Sequence, residues 1–194
     1  MKKLYVVEFN GLFGFIKPYS SFRDETTFSQ QFLTKSHLIG MEFKVFTDEG
    51  YIVNGDVQYI KRHKLSHSGF CAQQETIQSP NIKFGTSGSR NCVVDGGVGI
   101  INRHVLIKPK LFIGLENKKN ANILIENMVK LTRNEDLMIP KSEITEMSYK
   151  EFDLIVGLES FEDKNGFLAG FNRFKKFGPM NFEPMLVNVN CVIE

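Results

Sequence analysis

Between Arg103 and Ile113 the chain reads RHVLIKPKLFI, and alternation sustained over that length leaves little choice of local structure. Val105, Ile107, Pro109, Leu111 and Ile113 fall on one side; His104, Leu106, Lys108, Lys110 and Phe112 fall on the other. A period of two means a strand with one buried face, and here the second face is basic and partly aromatic. Pro109 has no N–H to give to a ladder, so the strand is expected at an edge or bulged near its middle. Gly96, Gly97 and Gly99 just upstream suit a turn or bulge. Downstream, Asn120 is expected to cap an amphipathic helix with Ile123, Leu124, Met128 and Leu131 on one buried stripe.

The rest of the chain supplies a matching half. KKLYVVEF reads as a first strand stopped at Asn10-Gly11, followed by the aromatic and polar loop LFGFIKPYSSFRDET, which exposes Lys17, Tyr19 and Arg23. Thr27 or Ser29 is expected to cap a first helix packed through Phe28, Phe32, Leu33 and Ile39 and ended by Gly40. MEFKVF reads as a strand, and YIVNGDVQYIKR as more strand with a bend at Asn54-Gly55. LMIP and SEITEM read as an extended link and a short helical turn, DLIVGL as a strand, and EPMLVNVNCVIE as the closing strand. Strand-helix-strand taken twice is the split βαβ, ferredoxin-like order, an α+β fold with both helices on one sheet face and the other face open to a ligand. One domain over 1–194 is expected, with a long aperiodic insertion at about 64–91 and a Gly/Phe/Lys-rich loop at about 161–182.

Composition narrows the function classes. The 24 Lys and Arg against 22 Asp and Glu leave a net charge of +2, so clustering of the cations matters more than their sum. Three cysteines, Cys71, Cys92 and Cys191, are odd in number and far apart, which excludes a fully paired disulfide framework and any CxxC zinc site and fits reduced cytosolic thiols. No secretory leader and no run of apolar residues long enough to span a bilayer is seen, so a soluble cytoplasmic protein is expected. The phosphate-loop, dinucleotide, nucleophile-elbow and zinc-protease motifs are all missing, and neither cofactor nor metal is expected.

The remaining signals are cationic. GFNRFKKFGPM interleaves Phe171, Phe174 and Phe177 with Arg173, Lys175 and Lys176. Cations neutralise phosphates and aromatic faces stack unpaired bases; a solvated turn anchored by its Phe residues is the plain alternative. KRHKLSHSGF gathers Lys61, Arg62, His63, Lys64 and His67, either a polyanion contact or a solvated strand end. His104, with Arg103 behind it and Lys108 ahead, is either an inert sheet histidine, an RNA contact, or an acid-base group.

Two stretches carry a specific resemblance. KLYVVEFNGLFGFIKPYSSFRDETTFSQQFLTKSHLIGM places Gly11, Phe13, Phe15, Lys17, Pro18, Thr27 and Gly40 where the Cas-five family of RAMP proteins in CRISPR effector complexes has a strand, an aromatic Lys-Pro loop, a Thr segment and a helix closing on Gly. SRNCVVDGGVGIINRHVLIKPKLFIGLENKKNANILIENMVKL is similar to that family's Arg-Asn-x-x-x-x-Asp segment, basic strand and helix, and Lys141-Ser142-Glu143 echoes its Gly-Arg-Ser-Glu turn. The usual prolines before the helix are missing and the Gly-Arg turn has become Pro-Lys, which leaves the subtype open, divergent and type IV systems included.

The resemblance implies a ferredoxin-like RAMP domain with an inserted β-hairpin thumb at 64–91 and a glycine-rich loop. It implies a noncatalytic subunit of a Cascade-like antiviral complex that holds the five-prime handle of the guide RNA (crRNA), touches the backbone and large subunits, and meets target nucleic acid indirectly. The RNA-contacting set expected here is Lys17, Tyr19, Arg23, Lys61, Arg62, His63, Lys64, Arg90, Arg103, His104, Lys108, Arg173, Lys175, Lys176, Phe171 and Phe174. Some family members cut precursor RNA without metal through a Tyr, a Lys and a His; Tyr19, Lys108 and His104 are the nearest candidates here. A ferredoxin-like assembly or small-molecule-binding protein is the alternative from outside the RNA-binding class.

Overall fold

The structure, a computed structural model, describes residues 2–19, 26–83, 93–177 and 181–193. Its elements run β1 (Lys3–Asn10), β2 (Phe13–Gly14), β3 (Thr26–Phe28), α1 (Lys35–Phe46), β4 (Ile60–Ser66), β5 (Gly69–Lys83), β6 (Val93–Ile107) and β7 (Lys110–Leu115). Then follow α2 (Lys118–Ile125), β8 (Val129–Lys130), β9 (Leu137–Ser148), α3 (Tyr149–Asp153), β10 (Gly157–Phe177) and β11 (Asn181–Val192). The main sheet has the order β11-β10-β4-β7-β1-β9-β8. β4 and β1 are both antiparallel to β7 between them, and β7 and β9 are both antiparallel to β1. That is the split βαβ arrangement taken twice, an α+β fold, with α1 and α2 as the two crossovers. Both helices cover one sheet face, where Leu38, Met41, Val45, Ala121 and Leu124 pack on Val7, Phe9, Leu111, Ile113 and Leu115.

Several local expectations give way to tertiary pairing. Thr26–Phe28, expected at the start of the first helix, instead runs parallel to Asn102–His104 of β6. Ser29 accepts the Ile16 N–H (2.8 Å) rather than capping, and Thr34 is the N-cap. MEFKVF, expected as a strand, is the second half of α1. Gly40 does not end the helix: it lacks the positive φ of a C-terminal cap, and the apolar spacing of Leu38, Ile39, Met41, Val45 and Phe46 carries the helix through it. Residues 51–59 carry no strand before β4 begins at Ile60.

The long alternating strand divides in two. Lys108 has a positive φ of 48°, and the break at Lys108-Pro109 sends β6 and β7 into different sheets. β6 pairs with every residue of β5 from Gly69 to Lys83, and Gly96, Gly97 and Gly99 lie within that ladder. The aperiodic sequence after Lys64 is thus largely one strand of a long hairpin, whose other edge carries β2 and β3 near its root. Asn117, not Asn120, caps α2, its side chain accepting the Lys119 N–H (2.8 Å). LMIPKSEITEMS is a single strand, and DLIVGL is the end of α3 followed by the start of β10. The segment at 161–182, expected as a loop, lies largely in a bulged β10–β11 hairpin on the β4 edge of the sheet.

The second sheet face is not open. Leu4, Val6 and Phe152 are buried together there, with Phe112, Met147, Tyr149 and Ile155 against them, so α3 lies over what the sequence presents as a free binding face. No helix is long and apolar enough to cross a membrane among the described residues.

Candidate nucleic-acid interface

Two of the cations expected on β4, Arg62 and Lys64, are engaged on that covered face. Arg62 forks Glu159 (2.7 and 2.6 Å), reaches Asp153 (2.5 Å) and stacks 5.0 Å from the Phe152 ring centre. The Glu159 hydrogen bonds raise its already high pKa further, so its charge is fixed and locally neutralised. Lys64 is 2% exposed and donates to the Asp153 (2.8 Å) and Ile155 (2.7 Å) carbonyls at the end of α3. Burial lowers its pKa. His63 points into the other face, buried beside the Ser160 hydroxyl (3.5 Å), and burial pushes its pKa down to about 4 against the pull of Glu159. Lys61 is exposed, its ammonium on the Gln58 carbonyl (2.7 Å).

Other expected contacts are also partly engaged. Arg103 pairs with Glu75 and lies 4.9 Å from the Phe15 ring centre, and Arg133 pairs with the same Glu75 from 5.4 Å off that ring. His104 stacks under Phe28, ring centres 4.0 Å apart. Tyr19 lines a groove against β10, whereas Lys108 lines a cleft at the root of the hairpin. Lys175 pairs with Glu183 (3.1 Å), while Lys17 and Lys176 are exposed. Arg23 and Arg90 lie outside the described residues.

What the fold does bring together is a cationic cleft of about 230 Å³ between α1, β8 and β10. Arg173 and Phe174, expected from the sequence, are joined there by Lys44 of α1 and Lys130 of β8, which sequence spacing did not single out. Lys44 reaches the Met128 carbonyl (3.1 Å) and Lys130 the Asn134 amide oxygen (2.8 Å), so both ammonium groups keep donors to spare. No carboxylate is among the described residues lining the cleft. His37 at its wall accepts the Thr34 N–H (3.1 Å). Its pKa is pushed down to about 4 by burial, with the nearby Arg173 and His63 charges adding. Three cations thus line one opening with no carboxylate among the described residues around it, which raises the positive potential there.

Beside that cleft stands an aromatic pair. Ser36, which lines the cleft, donates to the Phe171 carbonyl (3.4 Å), and the Phe171 ring meets Tyr19 edge-on at 5.3 Å. Tyr19 is 48% exposed and Phe171 39%. From Tyr19 a groove of about 660 Å³ continues past Phe28, Phe32 and Phe167. Lys44 was legible in principle, since a helical period running through Gly40 puts it opposite the buried stripe; Lys130 had no such signal. No group of three His, Cys, Asp or Glu side chains is placed to hold a metal ion among the described residues.

No protein-family model matches the chain, and no curated protein does. A solved structure described as a Cas protein is similar to it with a TM-score of 0.46 and 16% identity, over 97% of this chain and 94% of that one.

Proposed function

We propose that this chain is a noncatalytic RNA-binding subunit that grips the five-prime handle of a guide RNA within a CRISPR surveillance complex acting in defence against viruses or plasmids. The observation that carries RNA binding is the cleft between α1, β8 and β10, where Lys44, Lys130 and Arg173 face one opening with Phe174 at its edge. Cations of this kind hold backbone phosphates, and the adjoining exposed Tyr19 and Phe171 offer faces for unpaired bases. The guide-RNA context is supported by the sequence motifs around Gly11–Pro18 and Arg90–Leu131. In this reading the β5–β6 hairpin is the thumb that packs on the neighbouring backbone subunit, and Lys17 and Lys176 extend the phosphate-contacting surface.

Handle RNA is expected to bind better than scrambled RNA of equal length, and binding is expected to weaken steeply with salt. Replacing Lys44, Lys130 and Arg173 together by Gln is expected to flatten the slope of log affinity against log salt by about 2, at roughly 0.7 per lost phosphate contact on a single strand. An unchanged slope would remove the cleft from the RNA path, and equal affinity for both RNAs would remove handle specificity. Wild-type protein is expected to leave precursor RNA uncut in EDTA. Metal-independent cutting abolished by His104→Ala would instead assign the chain to the nuclease class.

A further inference from the structure

The two turns at the root of the β5–β6 hairpin form a second cationic cleft, on the other side of the Lys108-Pro109 break from the core. The β4–β5 turn contributes Ser66, His67 and Ser68; the β6–β7 turn contributes Lys108 and Lys110. Val156 and Ile193 complete the lining of the cleft, which holds about 500 Å³, and no carboxylate is among the described residues lining it. We infer that this cleft is a binding site for a phosphate group, held by the Lys108 and Lys110 ammonium groups together with the Ser66 and Ser68 hydroxyls.

Three independent features of the geometry point the same way. First, the register places Lys110 opposite Ser66 in the β4–β7 ladder and Ile107 opposite Gly69 in the β5–β6 ladder, so the two turns are fixed against each other. The backbone bonds Ser68 N to Ile107 O, Lys108 N to Leu12 O and Gly11 N to Pro109 O, each 2.9 Å, hold the turns rigid. Second, Lys108 occupies the left-handed region at φ 48°, a conformation that residues with a Cβ adopt at a cost and that tends to persist where it serves a ligand. Third, Lys108 and Lys110 are exposed on either side of the buried Pro109 and both line the cleft, so two positive charges raise the potential at one opening.

The chemistry favours phosphate over carboxylate. Donors arrive from two separate turns, as ammonium and hydroxyl groups, which suits a tetrahedral oxyanion better than the planar pair of oxygens of a carboxylate. The two His67 ring nitrogens lie 3.2 Å from the Gly69 carbonyl and 3.1 Å from the Gln31 side-chain amide, and burial lowers the ring's pKa, so a neutral ring with one N–H forms a wall of the site and reports charge nearby. The phosphate has three sources: a backbone phosphodiester, a terminal phosphate of RNA, or free phosphate. The inference shares the phosphate chemistry of the RNA-binding reading but uses different residues from the cleft between α1, β8 and β10.

Isotope-labelled full-length protein titrated with inorganic phosphate and followed by NMR tests this. Saturable shifts are expected at the Ser68, Gly69, Lys108 and Lys110 amides and the His67 ring. The double substitution Lys108→Gln/Lys110→Gln is expected to weaken them about tenfold or more. His67→Gln, which leaves both lysines in place, is expected to retain saturable shifts at the turn amides. An oligoribonucleotide with a terminal phosphate that binds more tightly than its unphosphorylated twin assigns the terminal group; equal shifts by both assign the backbone. Absence of saturable shifts with phosphate and both oligonucleotides, or shifts unchanged in the double variant, would overturn the site. The salt slope of the Lys44, Lys130 and Arg173 variant is a separate readout, so either reading fails on its own.

Discussion

Glu42→Ala is expected to cost about 3–5 kcal/mol of folding stability, because it strips a buried charged acceptor from three backbone donors at once. Glu42 is fully buried on α1, and its carboxylate accepts the Gln58 (2.8 Å), Tyr59 (2.6 Å) and Ile60 (2.6 Å) N–H groups. Those donors lie where the coil after α1 becomes β4, and no strand partner is available to the first of them. The side chain therefore ties the first helix to the strand that it must cross over to reach. With ordinary domain stabilities near 5–15 kcal/mol, such a loss would bring the protein close to unfolding at room temperature. Glu42→Gln keeps one acceptor oxygen but turns an amide N–H₂ toward backbone donors, so it is expected to fall between the two. Urea denaturation of the three proteins measures the difference. A loss below about 1 kcal/mol for Glu42→Ala would mean that water replaces the carboxylate.

Acid is expected to destabilise this protein well above the usual carboxylate range. His37 and His63 both have pKa values near 4 in the native state, against an ordinary value of 6.5. Because both native values lie below the unfolded value, unfolding takes up protons. The contribution is complete above pH 6.5 and is lost progressively as pH falls toward 4. Between pH 7 and pH 5 each ring is expected to cost about 2 kcal/mol, roughly 4 for the pair, at about 1.4 kcal/mol per pKa unit. Burial sets the direction, and the groups facing each ring modify it. His63 meets the attraction of Glu159 and the repulsion of Arg62; His37 meets Arg173 and His63 itself, so protonating one ring opposes protonating the other. Thermal or urea unfolding at the two pH values gives the drop, and His63→Gln is expected to remove about half of it. Ring resonances that titrate near pH 6.5 in the folded protein would show instead that solvent reaches both imidazoles.

Part of the core order was legible in the sequence: the first strand, the strand from Leu111 and the second helix carry their periods, whereas the second half of α1 reads as a strand and β9 as a link and a helical turn. KLYVVEFN alternates, and so do LFIGL and MLVNV, whose Leu111, Ile113, Leu115, Met185 and Val187 are all buried. Two crossovers between such strands leave few topologies, and the split βαβ order is the one found. Arg173 and Phe174 stand out in the sequence as cation interleaved with aromatic, and the fold sets both on the wall of the cleft between α1, β8 and β10.

Tertiary structure alone decided the rest. β5 carries no sustained apolar alternation in the sequence to announce it; its ladder with β6 makes it a strand. Arg62 and Lys64 look like a basic face in sequence, yet α3, a single turn of helix capped by Ser148, and the start of β10 after it turn them inward by offering Asp153, Glu159 and the carbonyls of Asp153 and Ile155. The cationic clefts are products of the same kind of meeting: Lys44, Lys130 and Arg173 are far apart in the chain, as are Ser66 and Lys110. A period reports which face of an element is buried, because burial repeats along the element. Which charges end up opposite one another, with or without a counter-ion, depends on the packing of separate elements, and no local pattern records that.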